Sequence, residues 1–103
     1  MKISWTDFAK LELQRIFEFH KENASLSVAQ KLTSGIVKES KKLIKQPMIG
    51  QEENLLLHFE KGYRYLVYKN YKIVYLINGI SNTIEIHDVF DARQNPLKIG
   101  REK

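Results

Sequence analysis

The sequence contains no cysteine, which excludes a disulfide framework and a thiolate zinc site. It also lacks an HExxH pair, an EF-hand pattern, a glycine-rich phosphate loop and a GxSxG motif. Its three histidines are scattered at positions 20, 58 and 87, so they do not show the spacing of metal ligands. We therefore expect no metal and no cofactor, and a nucleophilic triad has no support in the sequence.

Long apolar runs are also missing. No stretch approaches the roughly 20 apolar residues of a membrane span, and the N-terminus, MKISWTDFAK, lacks the apolar run of a signal peptide. We expect a cytoplasmic protein with no membrane partner. The 103 residues suffice for one compact domain and are too few for two. We expect a single domain over residues 1–103, with a basic tail from about residue 94.

Positive charge is in excess. The sequence has 17 Lys and Arg residues and 12 Asp and Glu residues, which gives a net charge of +5. A small basic domain favours a polyanion, an anionic ligand or an acidic protein partner. This balance does not point to nucleic acid in particular.

Two amphipathic helices are predicted in the first half of the chain. The first, near residues 6–22, can be capped by Thr6. Its apolar stripe, at helical spacing, consists of Ala9, Leu13, Ile16, Phe17 and His20. We interpret His20 as a partly buried packing residue. The second helix, near residues 26–45, can be capped by Ser25 or Ser27 and ends before Pro47 and Gly50.

The second half of the chain changes to the pattern of strands, rich in Tyr, Ile and Val. Strands are predicted at 63–68 (YRYLVY), 71–77 (YKIVYLI) and 83–90 (TIEIHDVF), with a candidate fourth at 55–59 (LLLHF). Turns are predicted at Lys69-Asn70, where Asn70 tolerates the left-handed conformation, and at Asn78-Gly79.

The predicted fold class is α+β, with an N-terminal antiparallel helical hairpin packed on one face of a small curved antiparallel β-sheet. A one-sided sheet of this kind buries one stripe from each helix and one face of each strand. The residues expected to be mostly buried are Ala9, Leu13, Ile16, Leu32, Ile36, Leu43, Ile73 and Ile86.

All five tyrosines fall in the segment YRYLVYKNYKIVYLI, residues 63–77, among Arg64, Lys69 and Lys72. Alternating strands cannot point all of them one way, so some pack in the core and others can be exposed, where they could stack bases. For Arg64 and Lys72 two readings stay open. They lie on the solvent face of a one-sided sheet, or they form a basic functional surface on rigid strands.

Three strand segments taken together are distinctive: YR-x-LV, NYKIVY, and the strand ending VFDARQNP, preceded by two amphipathic helices and QPMIG. Their order resembles the RelE/ParE toxin superfamily of bacterial type II toxin–antitoxin modules, over nearly the whole chain. The resemblance implies a small basic toxin, of the kind also called plasmid stabilisation proteins, neutralised by an antitoxin encoded beside it. The charge of the chain predicts that the antitoxin binds with an acidic segment.

The superfamily has two activities. RelE-like members cleave messenger RNA in the ribosome, whereas ParE-like members inhibit DNA gyrase. Cleavage by the 2′-hydroxyl needs a base, an acid and cations for the phosphate. The resemblance implies that Arg64 and Lys72 lie where the strand cations of a RelE-like nuclease lie, and that Arg93 lies in the region of a later cation. RelE-like toxins usually carry a Tyr or His near the C-terminus. This chain has none after Arg93, so His87 would be the substitute.

Asp91 places a carboxylate where a nuclease needs cations, and the long helical hairpin is more typical of ParE-like toxins. We therefore predict a gyrase inhibitor whose growth arrest is relieved by its antitoxin. The residues expected to contact the target or the antitoxin are Arg64, Lys72, Asp91, Arg93 and Lys98. The alternatives are a RelE-like ribosome-dependent endoribonuclease, and an inactive family member that only binds antitoxin.

Overall fold

The secondary-structure elements follow the predicted order, with two additional strands, one at the N-terminus and a two-residue strand after the helices. The structure is a computed structural model that describes residues 1–52 and 62–93. The elements in chain order are β1 (Lys2–Trp5), α1 (Asp7–Asn23), α2 (Leu26–Ser40), a 3-10 turn (Lys41–Ile44), β2 (Gln51–Glu52), β3 (Arg64–Tyr68), β4 (Tyr71–Asn78) and β5 (Thr83–Asp91).

Both helices begin at side-chain caps. The Thr6 hydroxyl accepts a hydrogen bond from the Ala9 amide at 3.1 Å, and the Ser25 hydroxyl accepts one from the Val28 amide at 3.1 Å. Of the two serines that could cap α2, the structure uses Ser25. Only Ala24 and Ser25 separate the helices, so α1 and α2 form the predicted hairpin.

Gly35 lets the hairpin approach the sheet closely. A Cβ atom at this position would overlap the Tyr68 hydroxyl and ring, which lie against the α2 backbone. The glycine weakens the helix slightly but provides room for an aromatic side chain from β3.

The five strands lie in the order β1-β5-β4-β3-β2. The pairs β2–β3, β3–β4 and β4–β5 are antiparallel, whereas β1 is parallel to β5. The prediction of a purely antiparallel sheet was wrong in this one pair, because it missed β1. The missed signal is the alternation of Met1, Ile3 and Trp5 with Lys2 and Ser4, a period of two.

The remaining differences concern turns and one predicted strand. Lys69, and not Asn70, has the positive φ of 55° in the β3–β4 turn, and the next turn spans residues 79–82, with Asn82 at φ 55°. The candidate strand at 55–59 lies outside the described residues. The short strand β2 precedes it and pairs with β3.

The helices cover one face of the sheet and form the main core with it. Ala9, Ile36, Leu43, Ile73 and Ile86 are fully buried there, and Leu32 nearly so. Leu13 and Ile16 are partly buried against this core. The burial predicted for these eight residues is confirmed, most completely for the first six.

A second apolar cluster lies on the opposite face of the sheet. It contains Tyr63, Val74 and Phe90, with Tyr65 and Leu76 packed against them. The tyrosines therefore divide between the faces. Tyr68, Tyr71 and Tyr75 belong to the helix side.

Candidate functional site

Arg64 fixes the loop that follows the helical hairpin. Its guanidinium Nη1 donates to the carbonyl of Gly50 at 2.7 Å and to that of Met48 at 3.4 Å. The Arg64 side chain is only 17% exposed, and Glu52 lies 4.0 Å away. A large part of the hydrogen-bonding capacity of the Arg64 guanidinium is therefore used within the protein.

Tyr75, the cross-strand neighbour of Arg64, holds the same loop. Its hydroxyl accepts a hydrogen bond from the Gly50 amide at 3.0 Å and donates to the Pro47 carbonyl at 2.7 Å. Burial raises the pKa of Tyr75, and the Gly50 hydrogen bond and the Arg64 charge oppose that rise. A Cβ on Gly50 would overlap the Tyr75 ring, so only glycine permits this contact. We call Arg64, Tyr75 and residues 47–50 the loop clamp.

Lys72 lies on the opposite face of the sheet. Residues directly opposite each other in an antiparallel pair share a face. Arg64 opposes Tyr75, which is buried in the helix-side core, whereas Lys72 opposes Val67 and Phe90. The Lys72 ammonium stands 4.2 Å from the centroid of the Tyr65 ring, within range of a cation–π interaction. The two strand cations therefore do not form one surface.

Asp91 and Arg93 form a tight pair at the end of β5. Arg93 Nε and Nη2 approach Asp91 Oδ1 and Oδ2 at 3.0 and 2.7 Å, and the Arg93 amide donates to Oδ1 at 2.9 Å. These bonds hold the pKa of Asp91 well below its usual range and raise the pKa of Arg93. The Arg93 side chain is 75% exposed, so the pair offers a solvent-facing guanidinium whose charge is largely neutralised.

His87 occupies a β-bulge. Val74 pairs with Asp88 and Tyr75 with Ile86, so His87 is the extra residue of β5. Its Nε2 lies 3.1 Å from Glu85 Oε1, and its ring meets the Tyr63 ring edge-on at 5.3 Å between centroids. Asn78 donates to the other Glu85 oxygen at 3.1 Å. This bond and the His87 contact lower the pKa of Glu85.

One contact between titratable groups was missed by the sequence reasoning. His20 Nε2, near the end of α1, and the Tyr71 hydroxyl, on β4, are 2.8 Å apart. Burial raises the pKa of Tyr71, Asp91 raises it further, and Arg93 lowers it. His20 and Tyr71 are 51 positions apart in the sequence, so no local pattern could have indicated the pair.

The predicted site residues are thus distributed over the sheet. Asp91 pairs with Tyr71, and Tyr71 pairs with Tyr68, so Asp91 is level with Tyr68 in the sheet. Arg64 lies four residues before Tyr68 on the same strand. About 13 Å along the strand direction therefore separates the loop clamp from the Asp91–Arg93 pair. Lys72 and His87 lie on the face opposite the helices, together with Glu85 and Asp88. Lys98 lies outside the described residues. Over residues 1–52 and 62–93, no group of three or more His, Asp and Glu side chains could hold a metal ion.

Comparison with known proteins identifies the family. The sequence profile described as "ParE toxin of type II toxin-antitoxin system, parDE" matches residues 3–96. The chain belongs to this family.

Two solved structures share the fold of this ParE family member. A chain of the chromosomal ParDE TA system from P. aeruginosa superposes with a TM-score of 0.76 at 20% identity, covering 90% of this chain and 97% of that one. A chain of the intact E. coli RelBE toxin-antitoxin complex gives a TM-score of 0.56 at 15% identity, covering 90% and 98%. No curated protein sequence matches the chain significantly. In the part of the chain that the structure describes, no helix is long and apolar enough to cross a bilayer.

Proposed function

We propose that this ParE family member is a cytoplasmic toxin that inhibits DNA gyrase by binding it, and that a cognate antitoxin with an acidic segment neutralises it. The observation that carries the proposal is that the groups predicted for a nuclease are distributed over the two faces and the length of the sheet; they are Arg64, Lys72, His87 and Arg93. Phosphoryl cleavage needs a base, an acid and cations around one phosphate. A protein that acts by binding does not.

The electrostatic neighbours of each group support the same proposal. Arg64 is held by backbone carbonyls, and the charge of Arg93 is largely neutralised by Asp91. On the face of Lys72 and His87, the carboxylates of Glu85 and Asp88 would repel a phosphate. Family membership agrees with this assignment.

The runner-up is a RelE-like ribosome-dependent endoribonuclease, and one observation favours it. His20 and Tyr71 are in hydrogen-bond contact, and Tyr71 lies within the electrostatic influence of Arg93. A histidine, a tyrosine and an arginine are the residue types that could supply a base, an acid and a cation. In a nuclease this cluster, rather than His87 alone, would be where chemistry takes place.

The experiment compares wild type with Arg93→Ala, Asp91→Ala, Tyr71→Phe and His87→Ala. Each purified protein is assayed for inhibition of gyrase supercoiling and for message cleavage on translating ribosomes. We expect wild type, His87→Ala and Tyr71→Phe to inhibit gyrase, and no sample to cleave message. Arg93→Ala should inhibit less, whereas Asp91→Ala, which releases the guanidinium, should inhibit at least as well as wild type.

Ribosome-dependent cleavage by wild type that is lost in Tyr71→Phe or His87→Ala would overturn the gyrase assignment in favour of the nuclease. For a general acid or base the loss is about 10²–10⁴-fold in rate. A wild-type protein that binds its antitoxin but affects neither system would identify an inactive family member.

A further inference from the structure

The loop between the 3-10 turn and β2, residues 45–50, exposes two large apolar side chains. Met48 is 63% exposed and Ile49 is 42% exposed, and Ile44, at the end of the 3-10 turn, adds a third at 43%. Single exposed hydrophobic residues are common on protein surfaces and need no explanation. Met48 and Ile49, however, are adjacent and lie in a loop that the loop clamp bonds to β3 and β4. Their exposure is therefore imposed by specific contacts of the fold.

The backbone of this loop is already bonded within the protein. In the loop clamp, the carbonyls of Pro47 and Met48 accept hydrogen bonds, and Gly50 uses both its amide and its carbonyl. The Ile49 amide donates to the Gln46 carbonyl at 3.2 Å. Pro47 has no amide hydrogen. The loop therefore offers a partner mainly side chains, and it lacks the row of free backbone groups that an added strand needs.

The two residues that hold the loop are themselves largely buried. Tyr75 has no exposed surface, and the Arg64 side chain is only 17% exposed. Burying a guanidinium costs free energy unless hydrogen bonds compensate, and these bonds go to the loop carbonyls. A binding surface that is ordered in advance loses little conformational entropy on association. The loop clamp is therefore suited to present Met48 and Ile49 in one fixed position.

The side chains of this segment define the partner that would fit it. A pocket that removes the two apolar side chains from water gains free energy, and such anchors can dominate a protein interface. Lys41, Lys42 and Lys45 are exposed just before the apolar pair, and of these Lys42 is paired with Glu39. The complementary partner is a folded protein with an apolar pocket and acidic residues around it.

We propose that Met48 and Ile49 insert into such a pocket on gyrase, and that Arg64 and Tyr75 are positioning residues that hold them for this contact. The proposal rests on the gyrase inhibition proposed above and locates part of the contact surface. Arg64 then acts through the loop and does not touch the target. The antitoxin is a poorer occupant, since an extended acidic segment would find few free backbone groups here.

The first test compares two double variants that remove similar exposed apolar side chains. One is Met48→Ala with Ile49→Ala, here called the loop variant. The control variant is Leu11→Ala with Phe19→Ala on α1, where the two residues are 45% and 60% exposed. Thermal unfolding first establishes that both are folded. In a gyrase supercoiling assay, the loop variant should need at least about tenfold more protein for half-inhibition, and the control variant should stay within about twofold of wild type.

Each outcome of this comparison decides something. Equal inhibition by wild type and the loop variant would overturn the loop assignment and leave gyrase inhibition standing. A wild type that does not inhibit gyrase would overturn both. Equal losses in the two double variants would show that the loop is not special, against the proposal.

The same proteins are titrated with the antitoxin encoded beside the toxin gene. We expect the loop variant to bind it as wild type does. A loop variant that loses antitoxin affinity and keeps gyrase inhibition would make the antitoxin the occupant, and the proposal would be wrong.

The second test separates positioning from direct contact and from overall stability. Tyr75→Phe and Arg64→Gln are each introduced into wild type and into the loop variant. Each should weaken gyrase inhibition by wild type, by about three- to thirtyfold, and neither should weaken it further in the loop variant, because the side chains that they position are absent. A further loss of the same size in the loop variant would overturn the positioning role.

Amide exchange gives an independent readout of the loop itself. The Gly50 amide donates to the Tyr75 hydroxyl, so it should exchange slowly in wild type and faster in Tyr75→Phe, at a temperature where both proteins are folded. Equal exchange rates would show that Tyr75 does not hold the loop in solution, against the proposal.

Discussion

The two faces of the sheet differ in what they bury and in how they use charge. The helix side is lined by aliphatic residues without contact to solvent, such as Ile73, Ile84 and Ile86, with Tyr75 among them. The opposite face combines Val74, Tyr63 and Phe90 with Lys72 and the bulged His87. On the helix side, Arg64 at the start of β3 holds a loop.

This difference explains why residue types alone are a poor guide to a site on a small sheet. Arg64 and Lys72 are close in sequence, yet their side chains lie on opposite faces, because their cross-strand neighbours do. One of them stabilises the loop clamp and the other stacks over a tyrosine. The face on which a strand cation lies therefore has to be determined from its cross-strand neighbours before the cation is given a role in binding.

The largest contrast between the faces should appear in stability. Ile36→Ala removes a fully buried side chain from the helix-side core, whereas Val67→Ala removes a side chain that is 51% exposed on the other face. We expect the free energy of unfolding to fall by about 2–5 kcal/mol for Ile36→Ala and by less than about 0.5 kcal/mol for Val67→Ala. Denaturant titration measures both, and equal losses would contradict the assignment of the main core.

A smaller contrast concerns two tyrosine hydroxyls. Tyr75→Phe leaves the Gly50 amide and the Pro47 carbonyl without their partner, at a residue that is fully buried. Tyr65→Phe removes only an exposed bond to Gln51. We expect a loss of about 1–3 kcal/mol for Tyr75→Phe and little change for Tyr65→Phe, by thermal or chemical unfolding. Similar values for the two variants would mean that the loop clamp does not contribute to stability.

The smallest effect should be the pH dependence due to Asp91. Because its pKa is depressed in the folded state, its contribution is complete above the unfolded value of about 3.9 and is lost as the pH falls below it. Asp91→Asn should therefore flatten the acid limb of the stability profile, while Glu18→Gln, an exposed substitution on α1, should not. An unchanged acid limb in Asp91→Asn would show that the pair with Arg93 is not maintained in solution.

Most of the fold could be predicted because the helices and strands form where the local sequence favours them. The caps at Thr6 and Ser25, the helical stripes and the strands at the tyrosine-rich segment all depend on residues near each other in the chain. β1 was not predicted because its four residues give too short an alternation, and because its partner β5 is far away in the sequence.

The arrangement of the candidate site was less predictable. Cross-strand neighbours, the bulge at His87 and the contact of His20 with Tyr71 all depend on register and tertiary packing. The Asp91–Arg93 pair is the exception, since a carboxylate and a guanidinium two residues apart can meet locally. In the sequence, Asp91 indicated this pair, because it is a carboxylate at a position where a nuclease would need cations.

The parallel pairing of β1 with β5 also has a consequence for biosynthesis. Lys2 pairs with Thr83, and Trp5 with Ile86, so the first strand can form its ladder only after nearly all of the described chain has been made. Such distant pairing has a high contact order and is slow to form, since a long loop must close before the contacts compensate for its entropy. A nascent or truncated chain that ends before β5 would therefore leave β1 unpaired and the sheet incomplete. The fold can therefore close only after β5 has been made, which gives a partner made at the same time an interval in which to be present.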